Sequence, residues 1–336
     1  MRHVIGLDVG GTTMKGAVMD EAGRILVRGE KETRVYNDLP ILIERMAGLI
    51  DELRKQAKGS VEAVGIGFPG PFDAERGISV HSPNFQLHQA DIRTPLARLV
   101  DLPLFFDNDL RTATLGEAVF GAGRNASHLV FVPLGTGVGA GIVNEGRLVT
   151  GSSGFAGEIG HVHVPGLTAA CNCGKIGCVE TVASATGIAR LARERLARSL
   201  ADGAPNAEPS SVMHALCGGE LERLTAEHVA KAVAQEDRLA IEVWEKACDV
   251  IGWALSVLIN VFNPQLVVVG GGVCRAGELL LAPVQKSVAR YAMDVVGQQA
   301  KVVLAQLGAD AGMLGAGALA LQAMQREQGT CESLRG

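Results

Sequence analysis

The chain opens with apolar, β-branched runs interrupted by glycine. Val4-Ile-Gly-Leu-Asp-Val leads into Gly10-Gly-Thr-Thr, an apolar run to Met19, the polar Asp20-Glu-Ala-Gly, and Arg24-Ile-Leu-Val. This order predicts strand, glycine turn, strand, tight turn, strand. The same order returns at Leu129-Val-Phe-Val-Pro-Leu, Gly135-Thr-Gly-Val-Gly-Ala-Gly, Ile142-Val, Asn144-Glu-Gly and Arg147-Leu-Val. Such a repeat points to two related halves, each beginning with a β-meander.

Between and after the meanders the apolar period changes. Leu42, Met46, Leu49, Ile50 and Leu53 recur at helical spacing and predict a helix over Leu39–Gln56. Val61–Phe68 reads as a buried strand closed by Pro69-Gly-Pro71, and Leu102–Phe106 as a short strand running into Asp107-Asn-Asp109. Leu110–Phe120 reads as a helix ended by Gly121. Further helices are predicted over Ala183–Leu200, Ala226–Gln235, Arg238–Phe262 and Ala311–Met324, with strands at Leu266–Val269 and Val302–Ala305. Residues 202–211 read as a surface loop, and the tail from Gln325 as frayed. Strands fed partly by hairpins and partly by helices make the fold class α/β.

Composition narrows the function classes. The 336 residues suffice for about two domains. They are 47% hydrophobic and 20% charged with 43 glycines, which is globular. Aromatics are only 4%, so the core is built from Val, Ile, Leu and Ala. The 31 basic and 36 acidic residues give a net charge of −5, against a cationic nucleic-acid footprint. The longest apolar run, near Val250–Ile259, is too short to span a bilayer. Residues 1–7 leave no room for the apolar stretch of a signal peptide, so a cytoplasmic location is expected.

Five segments carry candidate chemistry. In Asp8-Val-Gly10-Gly11-Thr12-Thr13-Met-Lys15, glycine N–H groups and threonine hydroxyls can surround phosphate oxygens, and Asp8 can hold Mg²⁺. A plain hairpin turn is an equal reading of that segment, and it lacks the spacing of a Walker P-loop. Gly135-Thr136-Gly137-Val-Gly139-Ala-Gly141 places glycines at alternate positions, which favours close approach of a ligand to the backbone. Gly270-Gly271-Gly272 after a buried strand fits a nucleotide base or ribose, or simply a strand-to-helix turn. Asp109, at the end of Asp107-Asn108-Asp109, is either the N-cap of the next helix or a general base with Asn108 orienting the substrate; spacing alone favours the cap.

The fifth segment is the sharpest. Glu158-Ile-Gly-His161 precedes Cys171-Asn-Cys173-Gly-Lys-Ile-Gly-Cys178-Val-Glu180. One histidine and three cysteines supply a Cys₃His tetrahedral zinc set, with His163 the competitor to His161. Four protein ligands make such a site structural. Glu158 and Glu180 bracket the loop and can offer acceptors to a polyol. By contrast, Arg190, Arg193, Arg195 and Arg198 read as a solvated helical face, and Trp244 and Trp253 as core.

Together these residues resemble the ROK family of sugar kinases and repressors, within the actin-like ATPase superfamily, from Gly6 to about Ala320. The run from Glu158 to Glu180 is the most specific part of the resemblance. Asp8–Lys15 resembles the family's first phosphate motif, Leu134–Gly141 the second, Gly270–Gly272 the adenosine motif, and Pro69-Gly70 and Ser82-Pro-Asn84 the sugar-binding segments. The resemblance implies two actin-like (ribonuclease H-like) α/β domains, with mixed sheets flanked by helices and a cleft between them. One would cover residues 1–115, completed by a helix at about 308–325, and the other 116–307. It implies an ATP-dependent kinase for a hexose, with glucose first and N-acetylglucosamine, N-acetylmannosamine, allose or fructose as alternatives.

In that picture Asp109 deprotonates the sugar hydroxyl, and Gly70, Asn84, Asn108, Asp109, Glu158, His161 and Glu180 contact the sugar. Asp8, Gly10, Gly11, Thr12, Thr13, Lys15, Gly135, Thr136, Gly137, Gly271 and Gly272 hold Mg²⁺ and ATP. Zinc sits on His161, Cys171, Cys173 and Cys178, with His161 using its other ring nitrogen on the sugar. A homodimer is also implied. The chain departs from many family glucokinases at Leu110-Arg111, where they carry Ala-Asn, and after Asn84, where it reads Phe-Gln-Leu-His. The competing readings are a sugar-sensing repressor, disfavoured because the phosphate turn begins at Gly10, and an actin-like filament protein, disfavoured by the cysteine loop.

Overall fold

The computed structural model describes residues 2–201 and 211–333. In chain order the first elements are β1 (His3–Val9), β2 (Thr13–Asp20), β3 (Ile25–Glu32), α1 (Leu39–Gln56), β4 (Val61–Phe68), β5 (Phe72–Asp73), β6 (Ile78–Ser82) and β7 (Leu87–Asp91). Then come α2 (Arg93–Ala97), β8 (Leu104–Asn108), α3 (Asp109–Val119), β9 (Leu129–Pro133), β10 (Gly141–Asn144), β11 (Arg147–Leu148), α4 (Glu180–Ala183), α5 (Ala185–Ala201) and α6 (Val212–Leu216). The last are α7 (Ala226–Val233), α8 (Arg238–Phe262), β12 (Leu266–Gly270), α9 (Glu278–Tyr291), α10 (Asp294–Gly297), β13 (Lys301–Leu304) and α11 (Ala311–Ser333). The mixed α/β class expected from the sequence is present.

The chain divides into two compact units. The first comprises Met1–Ala126, Gly141–Ala156 and Gln306–Gly336, and the second Ser127–Ala140 and Gly157–Ala305.

In the first unit a five-stranded sheet runs β3-β2-β1-β4-β8, antiparallel through β1, β2 and β3 and parallel from β1 to β4 to β8. The register places Asp8 opposite Gly67, and Gly67 opposite Asp107. Two acidic residues therefore end the parallel strands at one level of the sheet. The amphipathic α1 lays Leu42, Met46, Leu49 and Leu53 into the core with Ile5, Leu7, Val18, Ile66 and Phe68. On the other face α11 presses close, because glycines remove the intervening side chains: a Cβ on Gly65 would collide with the Ala316 carbonyl, and one on Gly6 with that of Met313. A small antiparallel sheet, β5-β6-β7, follows the Pro69-Gly-Pro71 turn.

The second unit has a parallel core, with β12 between β9 and β13. The 25-residue α8 starts at its N-cap Asp237, whose carboxylate accepts from Leu239 and Ala240 N–H, and ends where Asn263 takes a left-handed conformation at φ 45°.

Several sequence expectations shift. β8 runs two residues beyond the predicted strand, through Asp107 and Asn108. α3 is capped by Asn108, whose Oδ1 accepts from Leu110 and Arg111 N–H, so Asp109 is the first helical residue and not the cap. The predicted helix at Ala183 breaks at Ser184 into α4 and α5. α11 continues past Gln325 to Ser333. The predicted loop at 202–211 lies outside the described residues except for Ser211. α9, which contains Pro283, and the β5–β7 sheet had no counterpart in the sequence reading. The arginine face is not simply solvated: Arg193 donates to the Leu221 and Leu224 carbonyls, and Arg195 pairs with Glu242 at 2.7 Å.

Candidate functional site

In the first unit the β1–β2 turn and the acidic strand ends come together. Gly10 N–H donates to the Thr13 carbonyl, and Thr33 N–H to that of Thr12, which fixes the turn. Antiparallel pairing sets Lys15 opposite Asp8. Burial lifts the Asp8 carboxyl to a pKa of about 6 even though the Lys15 charge opposes the rise. A Cβ on Gly11 would come within 2.9 Å of Asn84, so the glycine turn and the Ser82-Pro-Asn84 turn touch.

Asp109 is also lifted to about 6, chiefly by burial, with the Asp8 charge adding to the rise and hydrogen bonds from Leu110 N–H and the Asn108 side chain opposing it. The Asn108 Nδ2 donates to Asp109 Oδ1 at 2.9 Å and to the Gly70 carbonyl at 2.8 Å. Gly70 needs its φ of 86°, because any side chain there would meet the His81 carbonyl. Thus Gly70, Asn108 and Asp109 form one hydrogen-bonded group. Asp107 turns elsewhere. It pairs with buried Arg111, one turn along α3, and Arg111 also donates to the Gly154 carbonyl.

In the second unit Gly135-Thr136-Gly137 and Gly271-Gly272 are adjacent. Leu134 N–H donates to the Gly270 carbonyl, Val273 N–H donates to that of Leu134, and Gly271, at φ 85°, packs on Leu134 with no room for a Cβ. Residues 134–140 form a turn closed by a bridge between Leu134 and Val138, where the sequence predicts a glycine turn. Beside Gly272 lies a cavity of about 280 Å³, walled by Ala226 and Ala230 of α7 and its C-cap Ala234, with Glu227, Lys231 and Arg275. The sequence reading missed these residues; the signal was three alanines at four-residue spacing, which give α7 one smooth face.

His161, Cys171, Cys173 and Cys178 place their ligand atoms within 4.8 Å of one another. His161 Nδ1 lies 3.6 Å from Cys171 Sγ, and Cys173 Sγ lies 3.7 Å from Cys178 Sγ. Ligands at ordinary zinc distances on a tetrahedron sit about 3.5 Å (N to S) and about 3.8 Å (S to S) apart, whereas a disulfide is about 2.0 Å. The residues fit zinc. His163 is not part of the group; its Nδ1 lies 3.1 Å from the Ile176 carbonyl oxygen.

The other His161 nitrogen, Nε2, lies 3.7 Å from Glu158 Oε2, and the Glu158 side chain is 63% exposed. Glu180 is more committed than expected. Its Oε2 accepts from Val138 N–H at 3.0 Å, and its Oε1 lies 3.8 Å from Cys171 Sγ. Among the described residues no helix is long and apolar enough to cross a membrane.

The family model described as "ROK family" matches residues 4–323. A glucokinase of Thermotoga maritima is 38% identical over 317 residues, covering 94% of this chain and 96% of the relative. A glucokinase of Halalkalibacterium halodurans is 38% identical over 325 residues, covering 96% of each. The structure of a glucokinase from Streptomyces griseus in complex with glucose and AMPPNP is 32% identical with a TM-score of 0.79, covering 95% of this chain and 99% of that one.

Proposed function

The chain belongs to the ROK family, and from that membership we propose that it is an ATP-dependent hexose kinase that phosphorylates glucose to glucose 6-phosphate. The observation that carries the reading is Asp109. It is a half-buried carboxylate whose pKa desolvation raises to about 6, held by Asn108 at the start of α3, which suits a general base for a hydroxyl proton.

The chemistry asks mainly for positioning and charge neutralisation. Asp109 accepts the proton of the attacking hydroxyl. The sugar contacts proposed are Gly70, Asn84, Asn108, Glu158, Glu180 and His161 Nε2. Gly10–Thr13 and Gly135–Gly137 offer N–H and hydroxyl donors to phosphate oxygens, and Lys15 adds a positive charge. Gly272, with open space where a side chain would stand, lines the alanine-walled cavity that would take the nucleobase, and Gly271 packs on Leu134 beside it. Asp8 is a half-buried oxygen donor of the kind Mg²⁺ takes, and that ion would supply charge neutralisation at the phosphates when bound. His161 Nδ1 and the three cysteines would hold zinc, which would order the loop and leave the His161 Nε2 protonated and free for a sugar hydroxyl. The protein works in the cytoplasm as a homodimer.

Sugar-dependent ADP release from Mg-ATP tests the proposal. Glucose, mannose, allose, fructose, N-acetylglucosamine and N-acetylmannosamine are compared, with Asp109→Asn alongside. Release with glucose that is lost in Asp109→Asn supports it; hexose binding without ADP release from any sugar overturns it. A second reading, in which another hexose or an N-acetylhexosamine is preferred, rests on the departures at Leu110-Arg111 and after Asn84, both beside residues proposed to contact the sugar.

A further inference from the structure

The glycine turn at 135–140 is gripped by both ends of the cysteine loop. Upstream of His161, the Gly157 carbonyl accepts from Ala140 N–H at 2.7 Å, and Gly160 packs so closely on Val138 that a Cβ would strike the Val138 carbonyl. Downstream of Cys178 there are three contacts. Glu180 Oε2 accepts from Val138 N–H at 3.0 Å, Ala185 N–H donates to the Gly135 carbonyl at 2.8 Å, and Thr186 Oγ1 donates to the Thr136 carbonyl at 2.9 Å.

The two ends are joined by a short antiparallel bridge at His163 and Cys178, with Val179 N–H donating to the Val162 carbonyl at 3.0 Å and Val164 N–H to that of Gly177 at 2.8 Å, and by the metal-ligand set itself, since His161 lies on one end and Cys178 on the other. The turn being gripped contains Gly135, Gly137 and Gly139. Such a turn has much conformational entropy to lose, so a ligand that must order it binds more weakly than one that finds it ordered.

We propose that the cysteine loop is a latch on the phosphate-binding turn, with Glu180 and Thr186 as positioning residues, so that zinc occupancy sets nucleotide affinity independently of sugar binding. This rests on the kinase reading above, in which Gly135–Gly137 meets phosphate. Without the metal, Glu180 and residues 184–186 lose the anchor that orients them, and the turn loosens.

The test reads nucleotide binding, not turnover. Zinc-loaded protein is compared with protein stripped by a chelator, desalted and verified as folded by circular dichroism. Calorimetry then measures the Kd of a non-hydrolysable ATP analogue with Mg²⁺ in the absence of hexose. Stripping raises that Kd about five- to tenfold, the value of one or two hydrogen bonds, and zinc restores it. Thr186→Val, which keeps every metal ligand, raises the same Kd about threefold to fivefold at full zinc content and leaves the glucose KM unchanged. This variant also answers if stripped protein does not stay folded.

A nucleotide Kd that ignores both zinc removal and Thr186→Val overturns the latch and leaves the kinase reading standing. Zinc-loaded protein that binds hexose but no nucleotide overturns both.

Discussion

Asn108 and Asp109 are neighbours with divided labour: the Asn108 side chain caps α3 through Oδ1 and, through Nδ2, donates to Asp109 Oδ1 at 2.9 Å. Because the cap is taken by Asn108, the Asp109 carboxylate is left for chemistry, and its orientation is set by the residue that starts the helix.

Replacing Asp109 by Asn keeps the shape and removes the base. kcat should fall about 10²- to 10⁴-fold while the hexose KM stays within a few-fold, as measured by coupled ADP assay. A kcat within tenfold of wild type would assign the proton to another group.

The pH dependence has a definite sign. Asp109 must be ionised to accept a proton, so kcat/KM should rise with pH through about 6 and level off above it. The same shift acts on stability in the opposite sense. A carboxyl whose folded pKa is raised above 3.8 binds more protons folded than unfolded, so its contribution declines as pH climbs from about 3.8 to about 6. In metal-free buffer at pH 7, Asp109→Asn should therefore be more stable than wild type, by about 1–3 kcal/mol. Denaturant melts of both proteins at pH 4 and pH 7 check this; a variant less stable at pH 7 contradicts it.

The four-ligand cluster should hold one zinc per chain, seen by elemental analysis, and Cys178→Ser should release it and lower the melting temperature. An unchanged zinc content in that variant would exclude Cys178 as a ligand.

Arg111 and Asp107 are both buried, with side chains 7% and 9% exposed. Arg111→Ala strands the Asp107 carboxylate and should cost about 3–5 kcal/mol of stability. Arg111→Leu combined with Asp107→Asn should recover part of that, because no charge is left unpaired. Equal melting of the single and double variants would show that the pair is not coupled.

Gly65 marks the closest approach of α11 to the sheet. Gly65→Ala places a methyl group against the Ala316 carbonyl, with backbone on both sides and nothing free to move. Loss of soluble expression, or a melting temperature lowered by several degrees, is expected; wild-type behaviour would mean that α11 shifts at little cost.

Much of the fold was legible because its signals are local. α1 and α8 match their predicted bounds, since each shows a clean helical period and starts at an aspartate cap. The metal cluster was legible because three cysteines and a histidine lie within eighteen positions. Other features were illegible for physical reasons. The strands of β5–β7 are two to five residues long and too polar to show a period. α9 carries an internal proline that argues against a helix.

What the sequence by itself determined is the inventory: the strands and helices, the glycine turns, the cysteine set and the acidic pair near Asp109. Residue type and spacing suffice where neighbours in the chain are neighbours in space. Tertiary structure alone decided the assignments that depend on distant residues. It took Asp8 and Asp109 largely out of water, which raises both pKa values, and set the Asp8 charge close enough to add to the rise at Asp109. It sent Glu180 to the Val138 amide, 42 residues earlier in the chain. Burial and long-range hydrogen bonds exist only once the chain has closed on itself, so no reading of spacing could have supplied them.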